Sequence, residues 1–251
     1  MMNKILHSIL FFFIFCTAVD TVAQDIAIGE PDMLMVRKRQ WNIYGTLHTN
    51  GIGIGFNYDQ IKSIKLQHGL DIEWTFYRHF KEQRVEVAEG SYLVYGKKNY
   101  FGQLRGGYGV TRILNTKHYS GGVEVGYYFY GGASVGFSVP VFLEIYYIDP
   151  QLGLISVTEE YDPEKHSTGN IKCKAPIYKG FSKIKIHPGA YIKTGLSFDF
   201  STNDALVVKL DAGIAADIYA IPVEKMANTK QYFLLTGYLT IHLGKRLSIY
   251  E

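Results

Sequence analysis

Seven segments of this chain alternate apolar and polar side chains residue by residue, and that two-residue period dictates strands with one oily and one polar face. The cleanest runs from Leu70 to Tyr77, where Leu70, Ile72, Trp74 and Phe76 alternate with Asp71, Glu73, Thr75 and Tyr77. The pattern recurs over Tyr100–Ile113, Gly122–Tyr130, Val135–Tyr147, Ile184–Phe200, Leu206–Ile218 and Phe233–Leu243. Ahead of these, Trp41, Ile43 and Leu47 are apolar at odd positions, whereas Ile52, Ile54, Phe56 and Tyr58 are apolar at even ones. The phase slips near Asn50-Gly51. A hairpin there makes nine strands, and a β-bulge inside one long strand makes eight. The bulge keeps the count even, as it is in single-chain bacterial barrels.

The polar faces are unlike those of a soluble sandwich. They mix charges of both signs with Gly, Tyr and Ser, as a narrow interior requires when polar side chains must pack against each other. The candidate interior charge network sets Asp71, Glu73, Glu124, Glu144, Asp199, Asp211 and Asp217 against Arg105, Lys193 and Lys209, with Lys185 beside them. Such groups can offset one another's desolvation cost in a water-poor interior. The abundance of glycine (26), tyrosine (20) and phenylalanine (15) suits strands and tight turns. Many strands reach the roughly 9–11 residues that a tilted strand needs to cross hydrocarbon. The expected fold is therefore all-β: a transmembrane antiparallel up-and-down β-barrel of eight strands. A formal charge of +3 is too mild for a nucleic-acid binder.

The N-terminus reads as an export signal. Lys4 precedes an apolar run from Ile5 through Val19, followed by the small-residue stretch Thr21-Val22-Ala23. The expected division is a signal peptide over 1–23, a periplasmic segment over 24–40, the barrel over 41–246 and a periplasmic tail over 247–251. Only Cys173 follows the signal, so no intrachain disulfide is expected. With the barrel entered from the periplasm, Gly131-Gly132 and Ser201–Asp204 read as tight inner turns. Asp149–Ser182 and Ala220–Lys230 then read as outer loops. Lys81–Asn99 disagrees, being far longer than an inner turn.

Three stretches carry a resemblance: the signal ending Val22-Ala23-Gln24, Gly122–Tyr128, and the closing His242-Leu243-Gly244-Lys245-Arg246. On these the chain resembles the small outer-membrane β-barrel proteins of Bacteroidota, whose members include orphan barrels and accessory subunits of larger outer-membrane machines. The resemblance implies a location in the outer membrane and a non-enzymatic structural or accessory role. Lipid and lipopolysaccharide are the expected surroundings, with other outer-membrane or periplasmic subunits as candidate partners. The contact surfaces would be Lys81–Asn99 and Asp149–Ser182. A second reading is a lipid A-modifying hydrolase. His118-Tyr119-Ser120 looks like the His-x-Ser of outer-membrane lipid A deacylases, in which His118 would activate Ser120 and Glu124 would orient the His. Against it, the deacylase chemistry takes place on the lipid-facing side whereas His118, Ser120 and Glu124 share the interior-facing parity, and Gly121 stands where that family usually has Asn. Neither a cofactor nor a metal is expected. Gly51-Ile52-Gly53-Ile54-Gly55 lacks the strand–helix setting of a nucleotide loop, and is read instead as room for strand curvature or a neighbouring Tyr. No Cys or His spacing suits zinc. Lys165, Lys172, Lys174, Lys179, Lys183 and Lys185, with Tyr178 and Phe181 between them, read first as a solvated loop, and as a second reading could pair lipopolysaccharide phosphates.

Overall fold

A computed structural model describes residues 39–247, apart from 64, 79–81, 83, 88–91, 95, 118–121, 150, 152, 164, 167–168, 203–204 and 227–228. The expected signal peptide, the segment 24–38, the tail beyond Leu247, and His118 with Ser120 lie outside the described residues. In chain order the strands are β1 (Arg39–His48), β2 (Gly51–Ser63), β3 (Leu66–Tyr77), β4 (Arg84–Glu86), β5 (Tyr92–Val94), β6 (Asn99–Asn115) and β7 (Glu124–Pro140). There follow β8 (Phe142–Asp149), β9 (Gly153–Glu160), β10 (Ile171–Lys174), a short 3-10 helix (Ile177–Lys183), β11 (Lys185–Asp199), β12 (Leu206–Val223) and β13 (Gln231–Leu247).

Eight of these strands close on themselves in the order β1-β13-β12-β11-β7-β6-β3-β2, and every neighbouring pair is antiparallel. Closure pairs the backbone polar groups of both would-be edges, the condition for a sheet to sit in hydrocarbon. The two faces have opposite chemistry. Outside stand exposed Ile43, Ile54, Ile72, Ile192, Ile214 and Ile241, while inside Gln40, Glu73, Gln103, Arg105, Asp217 and Thr240 are all sealed from solvent. An apolar exterior around a charged interior inverts a soluble protein and fits a lipid solvent. The chain is a transmembrane up-and-down β-barrel of eight strands.

The strand count agrees with the expectation, yet two local features do not. At Asn50-Gly51 the chain makes a hairpin, with His48 paired to Gly51, rather than a bulge. Gly131-Gly132 is no turn at all: both lie within the seventeen-residue β7, paired to Tyr108 and Gly107 of β6 and to Ile192 and Tyr191 of β11. One strand gained and one lost leave eight. The segment expected to run on as one strand through Tyr147 also divides, because β7 ends at Pro140, which has no N–H for a further ladder bond. From Phe142 the chain leaves the barrel wall.

The two ends of the barrel differ. One, here the near end, holds the start of β1, the finish of β13 and the short connections 64–65, 116–123 and 200–205. The far end carries 49–50, 78–98, 141–184 and 224–230. The stretch Lys81–Asn99 thus belongs with the long loops and not among the inner turns, because the Asn50 hairpin reverses the direction of every strand between β2 and β6. At the far end, β10-β8-β9 form a three-stranded sheet and β4-β5 a two-stranded one. Leu143, Ile145 and Ile171 pack there with Val141 and Tyr161, and Val87 and Leu93 join them from the 78–98 connection, giving this region its own apolar core.

Candidate functional site

Inward-facing residues come from every second position of all eight strands, so a side chain's parity decides whether it meets lipid or its fellows. Arg105 of β6 sits at the centre of the far half. Its Nε and Nη2 donate to Asp217 of β12 at 3.0 and 2.6 Å, Nη2 also donates to the Tyr77 hydroxyl at 2.7 Å, and Nη1 donates to Glu73 at 3.4 Å. Gln103 Nε2 donates to the same Asp217 carboxylate. Glu73 in turn accepts from Lys193 Nζ at 3.0 Å, and its Oε1 lies 2.8 Å from His48 Nε2. Lys193 lies 3.6 Å from Asp71, which accepts from the Tyr44 hydroxyl at 2.7 Å. Two fixed cations, three carboxylates, two tyrosine hydroxyls, an imidazole and an amide thus form one network. A guanidinium with both oxygens of one carboxylate is the strongest pairing available to it.

Aromatic hydroxyls carry the network toward the near end. Lys193 Nζ stands 4.9 and 5.0 Å from the ring centres of Tyr44 and Tyr238, and Tyr238 shares a 2.6 Å hydrogen bond with Tyr128. Tyr130 donates to Asp59 at 3.0 Å, and Asp59 also accepts from Gln40 at 2.9 Å. His242 Nε2 lies 2.9 Å from Asp211. At the near mouth Asp199 accepts from Lys117 at 2.8 Å and from Arg246. The large rings fit because glycines face them. Tyr44 lies over Gly55, where a Cβ would overlap the ring, and Tyr130 lies likewise over Gly109.

The structure draws Asp71, Glu73, Arg105, Lys193 and Asp217 into one cluster. It places Asp199 and Asp211 nearer the other mouth, with Lys209 buried beside Glu124 and Asp199 around a small void. Glu144 is not among them. It lies on β8, outside the barrel, 3.7 Å from Lys172, because the chain leaves the wall after Pro140. Lys185 is exposed at the far end of β11. His48, Tyr44, Tyr77, Tyr128, Tyr130, Tyr238, Asp59 and Gln103 were missed as network members. Their interior parity was readable, but a search for charge passes over hydroxyls and amides, and Asp59 lies just beyond Tyr58, where the apolar alternation of that strand ends.

Little space remains among these side chains. Voids of about 30 Å³ beside Asp71, Lys193 and Asp211, and about 10 Å³ beside Glu124 and Lys209, hold a water or two at most. Neither admits a substrate. Glu124 opens β7 with its partner position at Asp199, facing inward and away from lipid. At the far end Lys165, Lys172 and Lys183 each meet a carboxylate, from Asp162, Glu144 and Glu160. The tip of the β8–β9 hairpin is apolar instead, with Ile148 86% and Leu154 66% exposed at paired positions.

No family model matches the chain, and no curated protein does. Among solved structures it is similar to Ail, the attachment invasion locus protein of Yersinia pestis, at 11% identity and a TM-score of 0.40, covering 84% of this chain and 97% of that one. It is also similar to Neisserial surface protein A (NspA), at 12% identity and a TM-score of 0.37, covering 83% and 96% respectively.

Proposed function

We propose that this protein is an integral outer-membrane β-barrel that acts as a non-enzymatic accessory subunit, holding another membrane or surface protein through its far-end elements. The far end, with the long connections, faces outward, and the near end faces the periplasm. What supports the reading most is the pairing of a barrel filled by its own hydrogen-bonded side chains with the apolar tip at Ile148 and Leu154. A filled barrel leaves the outer surface and loops as the parts able to act. Apolar side chains held out on a paired hairpin, beyond their own sheet's core, cost free energy in water until something covers them.

The test is purification from native membranes without crosslinker, first of the parent and then of Ile148→Ser with Leu154→Ser. The parent should bring down a partner in fixed ratio, and the double variant should lose it while the barrel still shifts with heat on a gel. A barrel that purifies alone from both counts against the accessory role, and one that stays dissolved without detergent overturns the membrane reading as well.

A further inference from the structure

On the outer wall of the barrel, at the far ends of β3, β6 and β7, lies a groove of about 930 Å³. That volume stands near the top of the roughly 300–1,000 Å³ range of small-molecule sites. Its floor consists of lipid-facing residues: Trp74 and Phe76 from β3, Gly102 from β6, and Phe137 and Val139 from β7. Trp74 packs its ring 5.5 Å from Phe137 and 5.6 Å from Phe76. Gly102 leaves the hollow between them, since a Cβ there would stand 3.2 Å from the Trp74 ring. The upper wall comes from the far-end elements, including Leu93 and Tyr161, so the groove runs from hydrocarbon into the headgroup layer.

Charge gathers at the upper part. Arg78, Lys97 and Lys174 line the groove against the single carboxylate of Glu82. Lys97 Nζ is 2.7 Å from Glu82, and it and Lys174 Nζ stand 4.5 and 4.7 Å from the centre of the same Tyr100 ring. Burial lowers the pKa of Lys97, Glu82 opposes that shift, and the nearby positive charges of Lys174 and Arg78 push it further down, so Lys97 feels both neighbouring cations. Among the described residues neither Arg78 nor Lys174 has a carboxylate partner. Among the described residues three cations thus face one carboxylate, which calls for an anion from outside.

We infer that this groove holds an anionic, phosphate-bearing lipid of the surrounding leaflet, with an acyl chain along Trp74, Gly102 and Phe137 and its phosphate between Arg78, Lys97 and Lys174. The occupant is a lipid because the floor is continuous with the hydrocarbon-facing wall while the cations stand where headgroups begin. This inference rests on the membrane reading above but not on the accessory role.

Trp74 reports on its own groove. In a Trp41→Phe background, reconstituted in phosphatidylcholine bilayers, brominated phosphatidic acid should quench Trp74 more than brominated phosphatidylcholine at equal mole fraction. Each cation in a headgroup layer enriches an anionic lipid about fivefold. Arg78→Glu with Lys174→Glu should abolish the preference, and Lys165→Glu with Lys230→Glu, the same charge change at exposed lysines that do not line the groove, should leave most of it. Equal quenching by the two lipids, or an equal loss in both double variants, overturns the inference. So does quenching that follows the protein-to-lipid ratio rather than the headgroup, which would assign the groove to a second copy. The gel shift of each sample separates the failures: protein that never inserts defeats the membrane reading, and inserted protein without headgroup preference defeats this inference alone.

Discussion

Removing the guanidinium of Arg105 leaves Asp217 and Glu73 charged and short of donors in a sealed space, where the penalty for breaking a buried pair is about 3–5 kcal/mol. Arg105→Met should lower the urea midpoint of the lipid-embedded barrel accordingly. Adding Asp217→Asn and Glu73→Gln should recover most of the loss, because it removes the excess negative charge and leaves Lys193 opposite Asp71 alone. A second residue-scale prediction concerns Lys225, which lies beyond β12 with its ammonium 4.9 Å from the ring centres of both Tyr77 and Phe101. Burial pulls its pKa down to about 8, against the opposing pull of Asp217 and Glu82. A folded-state value below the unfolded one means that folding expels a proton, so stability rises with pH between about 8 and 10.5. Lys225→Met should be the more stable protein at pH 7, by roughly 1–3 kcal/mol, and the gap measured by chemical unfolding should close toward pH 10.

At the scale of elements, alternation located nearly every wall strand, because a barrel in lipid holds each side chain to one solvent or the other. The boundaries were harder to read, and the two glycine pairs show why. At Asn50-Gly51 apolar residues change from odd to even, which is what a two-residue hairpin does to the phase. At Gly131-Gly132 the outward set stays odd from Val125 through Val139, and unbroken parity is the mark of a single strand. Parity was the reliable signal in both places and glycine was not, since glycine serves turns, bulges and ring-over-backbone packing alike. The charged interior was legible for the same reason, with two exceptions: Glu144, whose parity matched the lumen but whose strand had left the wall, and Lys185, which stands exposed at the far end of β11. The far-end sheets were illegible because their core joins residues that only the closed barrel brings together. There Gly153 adopts φ +77°, a conformation that costs other residues about 1–2 kcal/mol. Gly153→Val should therefore speed proteolytic nicking at the β8–β9 turn while the gel shift of the barrel stays unchanged.

Taken whole, the molecule separates a rigid, filled cylinder from the apparatus at its far end. Since the voids beside Asp71, Lys193 and Asp211 and beside Glu124 and Lys209 measure only about 30 and 10 Å³, planar bilayers containing the protein should show no discrete conductance steps, and regular openings would contradict the packing described. The ring also has a seam where β1 meets β13, and the ten residue pairs from Arg39–Leu247 to His48–Tyr238 join positions separated by nearly the whole described chain. The earliest strand must therefore wait, its hydrogen-bonding groups unspent, until the last one has been synthesised and delivered. A polypeptide cut short by a premature stop before residue 231 would present two raw edges to the bilayer, which tolerates neither, and so would remain a client of whatever escorts it.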